Sequence, residues 1–314
     1  MNPLASARLS LIVGLLVLAL KWVAYILTGS IALYSDALES IVNIAAAFAA
    51  FIALWIAQQP IDQNHPFGHT KAEYFSAGFE AMLIVIAAIT IIYEASQRLW
   101  VLVYASGGGT SVNLEGLKWG LIISLLASMI NGALASYLLH VAKKTRSPAI
   151  KADGLHLLSD VITSAGVLLG VGIAWMTGWW VLDPLLALIV ALNILWIGAK
   201  LFRESIGGLM DEGMNQSELV PVQEVIAHHL QGALQVHSLK TRRAGAVSFV
   251  EFHLVVPENM TVKDAHDICN CLEDALQEIL KEVHVNIHVE PDSEVEQHGF
   301  IVFSESKEQQ SRRE

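Results

Sequence analysis

Charge is scarce in this chain and cysteine nearly absent. Of 314 residues, 16% are charged and two, Cys269 and Cys271, are cysteines. One residue apart on a helix-like stretch, the two thiols are badly placed to bridge each other. That excludes a disulfide framework and suits a reduced, cytosolic setting. A basic excess is also missing: 19 Lys and Arg stand against 30 Asp and Glu, a formal net charge of -11. Such a balance argues against nucleic acid and suits cations. No H-E-x-x-H or equivalent base-bearing helix occurs, which counts against a zinc hydrolase. What fills the chain is apolar, 54% hydrophobic with a mean hydropathy of +0.51. That is too apolar for an ordinary soluble protein of this size.

The charge is unevenly spread. Residues 1–210 hold eleven acids and eleven bases, whereas residues 211–314 hold nineteen acids and eight bases. The sequence therefore divides into a neutral membrane part (1–209), an acidic water-soluble part (210–292) and a mobile polar tail (293–314). A membrane helix needs about 20 mostly apolar residues. Six such spans are expected, over 8–28, 31–58, 73–101, 113–142, 148–177 and 182–206. The first is too long for a signal-peptide core and lacks a clear cleavage site, so it counts as a span. A tight turn at Thr28-Gly29-Ser30 joins the first two, and the loop 105–112 is Gly-rich. Arg8, Lys71, Lys143, Lys144, Arg146, Lys151, Lys200 and Arg203 fall at one set of ends, while Arg98 and Lys118 fall at the other. The positive-inside rule then puts both termini in the cytosol of a multi-pass cell (inner) membrane protein. Trp100, Trp119, Trp179 and Trp180 lie near the outer ends, as an aromatic belt does. Lys21 lies inside span one, facing the bundle or snorkelling.

One short pattern occurs twice in these spans: Asp36-Ala37-Leu38-Glu39-Ser40-Ile41-Val42-Asn43 and Asp153-Gly154-Leu155-His156-Leu157-Leu158-Ser159-Asp160. Residues four apart share a helix face. Glu39 with Asn43, and His156 with Asp160, therefore form two clips of metal-ligating side chains. Glu39 lies roughly 13 Å from the outer end of its span and His156 roughly 12 Å from the inner end of its own. Both clips come to mid-membrane height, where ionisable groups mark an ion or proton path by default. Asn131 in span four lies at a comparable depth and reads as an interhelical hydrogen bond. Between spans two and three, Asp62-Gln63-Asn64-His65-Pro66-Phe67-Gly68-His69 offers nitrogen and oxygen donors suited to zinc-like ions.

The acidic part reads as a helix over 216–231, strands over 235–243 and 247–256, a helix over 261–281 begun by Thr261, and a strand over 283–290. The order α-β-β-α-β describes a compact helix-on-sheet layer. Histidine is abundant there. His288 and Glu290 share a strand face, His237 and His253 come from the other strands, and His266 comes from the helix with Cys269 three residues on. A metal site between sheet, helix and a second subunit fits this placement. In the tail, Phe300-Ile301-Val302-Phe303 is the one stretch able to dock.

Together these residues resemble the cation diffusion facilitator family of metal/proton antiporters over about 1–292. The resemblance rests on the paired clips, the Asp62-x-x-His65-x-x-x-His69 loop followed by Lys71-Ala72-Glu73, and the histidine-bearing soluble domain. It implies a homodimer of six-helix membrane bundles, each with a metallochaperone-like cytosolic domain. It implies a transport site at Glu39, Asn43, His156 and Asp160, and a loop site at Asp62, His65 and His69. It further implies a cytosolic binuclear site at His237, His253, His266, His288 and Glu290, and a charge interlock between Lys71 and Asp211. One departure stands out. Zinc transporters of the family usually carry His or Asp and then Asp in span two, where this chain has Glu39 and Asn43. Zinc leads the expected ions, with cadmium, iron(II), manganese(II) and cobalt open. The expected function is export of a divalent cation in exchange for protons. The rival readings are a metal-sensing membrane scaffold and an intramembrane metallohydrolase.

Overall fold

The computed structural model describes residues 2–28, 31–104, 114–179, 181–230, 232–296 and 301–302. The glycine-rich loop, Gly29-Ser30, Trp180, His298, Phe300 and Phe303 lie outside the described residues, as do the side chains of Lys118 and Trp119. The chain divides into two compact units, Met1–Ile206 and Gly207–Glu314.

The first unit is made of six long helices: α1 (Pro3–Thr28), α2 (Ile31–Ala57), α3 (Ala72–Tyr104), α4 (Leu114–Thr145), α5 (Pro148–Thr177) and α6 (Leu182–Leu209). Among the described residues, α1, α2, α3, α4 and α6 carry stretches long and apolar enough to cross a membrane. The remaining helix, α5, is of similar length at 30 residues. It carries Lys151, Asp153, His156 and Asp160, which dilute its apolar character. Many large apolar side chains of this unit, among them Ile12, Trp55, Ile86, Tyr93, Met129 and Trp196, point outward. Such a surface would be unstable in water and suits lipid.

Small residues set the helix spacing, as expected where lipid supplies no hydrophobic drive between helices. One interior cluster joins α1, α2, α4 and α5 through Ala7, Ala50, Ala135, Ala142 and Ala149. Another joins α3, α5 and α6 through Ala77, Ala81, Ala88 and Ala152. At Gly154 on α5, an added Cβ would lie 3.0 Å from Leu139 Cγ and 3.3 Å from Leu138 Cβ on α4. The glycine thus fixes how close α5 comes to α4, two residues before His156.

The second unit is a four-stranded sheet, ordered β3-β2-β1-β4, with two helices on one face. Helix α7 (Gln216–His228) is capped by Asn215, whose side chain accepts from Glu218 N; α8 (Val262–Leu280) is capped by Thr261, which accepts from Asp264 N. Strands β1 (Gln235–Ala244) and β2 (Val247–Val256) form a hairpin around Gly245, whose φ of 60° suits a residue without a side chain. After α8 the chain returns as β3 (Val283–Pro291), parallel to β2. Val236, Val250, Phe252, Leu254, Leu272 and Leu276 lie in the core between sheet and helices. The tail departs from its expected mobility. It forms a 3-10 turn (Asp292–Glu294), and a two-residue strand β4 (Ile301–Val302) docks antiparallel on β1, pairing Val236 with Ile301 and Gln235 with Val302. The physical reason is the free edge of β1, which leaves backbone groups to be paired.

Gly154→Leu is expected to lower the thermal stability of the purified protein, since overpacking a tight contact costs about 1–3 kcal/mol. A melting temperature equal to that of the parent would show that α4 and α5 are not held as close as this contact requires.

Candidate metal sites

The two helical clips meet. Asn43 on α2 donates from Nδ2 to Asp160 Oδ2 on α5 at 2.6 Å, and Asn43 Oδ1 lies 3.1 Å from His156 Nε2. Three of the four expected residues thus form one network linking two helices, with His156 buried. Glu39, the fourth, lines a cavity of about 30 Å³ together with Asp160, Lys21, Ser128, Asn131 and Thr163. That is room for an ion-sized guest or a water. Asn131 also lines a smaller cavity beside Asn43 and Asp153, so it belongs to the surroundings of the site.

Lys21 is the residue that sequence reasoning undervalued. Its side chain is buried, and it lines the same cavity as Glu39 and Asp160. The site therefore contains two carboxylates and one ammonium, plus a neutral amide. The signal was available: a single lysine in the middle of an apolar span.

The loop residues Asp62, His65 and His69 also converge. Asp62 Oδ1 accepts from the backbone N–H of His65 at 2.7 Å and of Asn64 at 2.9 Å, which closes the turn. His65 Nδ1 is 3.1 Å from Asp62 Oδ1, and His69 Nε2 is 3.4 Å from Asp62 Oδ2. The backbone bond from His65, the largest influence, holds the Asp62 carboxyl below its usual range, so it is ionised and ready to ligate at neutral pH.

In the second unit, strand register builds the third group. His237, His253 and His288 are Cα partners across β1, β2 and β3. They form a row on the face away from the helices, because Val236, Phe252, Leu254 and Ile287 point towards the helices. A bulge follows His237: Ser238 takes a φ of 53° and the register shifts before Lys240. The extra residue lets Leu239 reach the core while His237 keeps the opposite face. His237 Nε2 lies 3.2 Å from His253 Nδ1 and 3.2 Å from Glu290 Oε2, and His253 Nδ1 lies 3.0 Å from Glu290 Oε1. His288 Nε2 is 3.6 Å from Glu290 Oε1. Donors of a tetrahedral zinc site, each about 2.1 Å from the ion, lie about 3.4 Å apart. His237, His253 and Glu290 match that spacing.

Two sequence expectations fail within one chain. His266 is exposed on α8, which packs on the other face of the sheet, so the sheet separates it from this row. Cys269 is buried in the core between α8 and the sheet, where burial pushes its thiol pKa up, and it does not reach the site. Asp211 takes Arg242 as a partner, with Nη1 donating to Oδ1 at 3.1 Å.

Comparison with known proteins identifies both parts of the chain. Residues 7–210 match the cation efflux transmembrane domain, and residues 214–292 match the cytoplasmic domain of cation efflux proteins. The chain belongs to the cation diffusion facilitator family. It is 41% identical over 285 residues to the uncharacterized transporter sll1263 of Synechocystis sp., covering 91% of this chain and 89% of that protein. It is 30% identical over 284 residues to the cation-efflux pump FieF of Citrobacter koseri, covering 90% of this chain and 91% of that one. The metal-bound C-terminal domain of the CzcD transporter from Thermotoga maritima is 30% identical, with a TM-score of 0.24, over 26% of this chain and 100% of that one. This cation efflux protein thus pairs a transmembrane helical domain with a C-terminal cytoplasmic α/β domain.

Because Lys21 shares a low-dielectric cavity with the carboxylates, Lys21→Ala is expected to tighten divalent-cation binding by about tenfold or more. Zinc titration of the purified protein checks this. Unchanged affinity would place the ammonium outside the field of the site.

Proposed function

We propose that this cation efflux protein is a secondary transporter that exports a divalent, zinc-like cation from the cytosol in exchange for protons. The observation that carries the reading is the Asn43–Asp160–His156 network between two apolar helices, whose Asp160 shares a polar cavity with Glu39. Polar groups so placed are costly unless used or paired.

The chemistry follows from the donors. Binding a cation requires a neutral imidazole at His156 and ionised carboxylates at Glu39 and Asp160, so loading releases protons and protonation favours release. Asp160 accepts the Asn43 Nδ2–H bond on Oδ2, and a carboxylate has lone pairs beyond that one with which to hold an ion. Four donors of mixed nitrogen and oxygen suit zinc, while cadmium, iron(II), manganese(II) and cobalt fit the same set. Asp62, His65 and His69 form a second cation site at the loop between α2 and α3. In the cytoplasmic domain, His237, His253, His288 and Glu290 bind metal that regulates the protein rather than crosses the bilayer. His266 joins that site only if a second copy supplies it, since the sheet intervenes within one chain. We take the protein to be a homodimer in the cell (inner) membrane, with both termini in the cytosol and Lys71 paired with Asp211 as a charge interlock.

His156→Ala and Asp160→Ala are each expected to abolish zinc flux into proteoliposomes while leaving the protein folded. Parental flux in either variant would refute the site. Flux in the parent also separates the transporter from a metal-sensing scaffold or an intramembrane hydrolase, neither of which moves the ion. For the interlock, Lys71→Asp is expected to impair flux and Lys71→Asp with Asp211→Lys to restore it. Such a pair adds only about 0–1 kcal/mol when exposed, so the effect is read in transport and not in melting temperature. Absence of rescue would argue against the pairing.

A further inference from the structure

Beyond β3 the chain does something the histidine pattern does not require. It passes through the turn Asp292–Glu294 and returns across the sheet face that carries the histidine row. There Gln235, fully buried on β1, grips the backbone of Glu296 from both sides. Gln235 Nε2 donates to Glu296 O at 2.8 Å, and Glu296 N donates to Gln235 Oε1 at 2.9 Å. This side chain mimics a strand's paired bonds and fixes the position of one tail residue. The residue so fixed is acidic, and its Oε1 lies 3.6 Å from His237 Nε2.

We propose that Glu296 is a further ligand of the cytoplasmic metal site, supplied by the C-terminal segment, so that metal binding and docking of the tail on β1 are one event. Around His237 Nε2 stand His253 Nδ1 at 3.2 Å, Glu290 Oε2 at 3.2 Å and Glu296 Oε1 at 3.6 Å. Measured from His237, these separations bracket the spacing of about 3.4 Å between donors of a tetrahedral ion; His237, His253 and Glu290 already lie within 4.8 Å of one another, and Glu296 joins them by a turn of its side chain. Glu290 Oε2 accepts no hydrogen bond despite its distance from His237, and His237 Nδ1 is buried without a partner. The atoms therefore meet as donors meet at a cation. Glu296 supplies a second carboxylate, so that two imidazoles and two carboxylates neutralise one divalent ion. Its side chain is 54% exposed, which lets it close over the ion from the solvent side.

The consequence is regulatory. Strand β4 begins five residues after Glu296 and covers the free edge of β1 at Gln235 and Val236. An ion that holds Glu296 shortens the loop that must close before β4 pairs, which lowers the entropy cost of docking. The cytoplasmic domain thus couples cation occupancy to covering or uncovering a sheet edge.

This inference rests on the reading of His237, His253 and Glu290 as a metal site, and the experiment separates the two. The full-length protein in detergent carries His156→Ala and His65→Ala, so that the remaining zinc binding reports the cytoplasmic site. In this background Glu296→Gln is expected to weaken zinc binding about tenfold. Glu294→Gln, which removes the same charge two residues away, should stay within twofold of the parent. Zinc should slow amide exchange over 292–302 in the parent but not in Glu296→Gln. Loss of zinc binding in His237→Ala with parental affinity in Glu296→Gln would overturn the inference and leave the metal site standing. An equal loss in both glutamate variants would overturn it by showing general charge attraction. Parental binding in His237→Ala would overturn the metal site and the inference with it.

Discussion

Asp160 inside the bundle is answered by the amide of Asn43, and much of the membrane unit is arranged around that bond. A carboxylate removed from water costs several kcal/mol unless another group compensates it. The compensation demands that α2 and α5 approach within hydrogen-bond reach at one height. Close approach demands small residues, and alanine and glycine line the contacts of α5 with α4 and α3. The apolar side chains are left for the outer surface. Helix spacing and the position of the polar network are thus compatible with one another.

The cytoplasmic domain meets its requirement through register. Three histidines from three strands come into one row only because β1 and β2 pair in one register and β3 pairs in parallel with β2. A slip of one residue would turn His237 towards the core and expose Val236. The hydrophobic core therefore enforces the metal geometry, since Phe252, Leu254 and Leu272 are fully buried in the register observed. The bulge at Ser238 reconciles two claims on the same strand, one from the core on Leu239 and one from the site on His237.

Much of this was legible in the sequence. Strand 247–256 and helix 148–177 were read to the residue, because alternation and apolar length are strong signals bounded by turn residues. The clips were legible because four residues make nearly one helical turn. That His266 and Cys269 lie apart from the histidine row within one chain has an equally physical reason. Sequence spacing shows which residues share a helix face, but not which face of the sheet that helix covers. Cys269 belongs to the apolar stripe of α8 with Leu272 and Leu276, a stripe that sends His266 to solvent. Glu296 was invisible because its position depends on Gln235, a residue 61 positions earlier. Nothing local marks a polar residue as the anchor of a distant segment. Lys21 was visible as an anomaly, but its cavity becomes definable only once α1, α2, α4 and α5 are assembled.

On the proposed reading, the two units would treat a cation in opposite ways. In the bundle, Asn43 and Asp160 satisfy each other, and Lys21 shares the cavity that would receive the ion. An arriving cation would compete with an existing hydrogen bond and work against a nearby positive charge. Both effects lower affinity, which is what release on the far side of a membrane requires. In the cytoplasmic domain, Glu290 Oε2 and His237 Nδ1 are buried without hydrogen bonds. A cation there would displace the His253 Nδ1–His237 Nε2 contact and relieve close contacts between imidazole nitrogens and carboxylate oxygens. That arrangement favours retention. On the proposed reading, a weaker site in the membrane and a tighter one in the cytoplasmic domain would let the protein respond to cation concentration before it moves the ion, since the tighter site fills first.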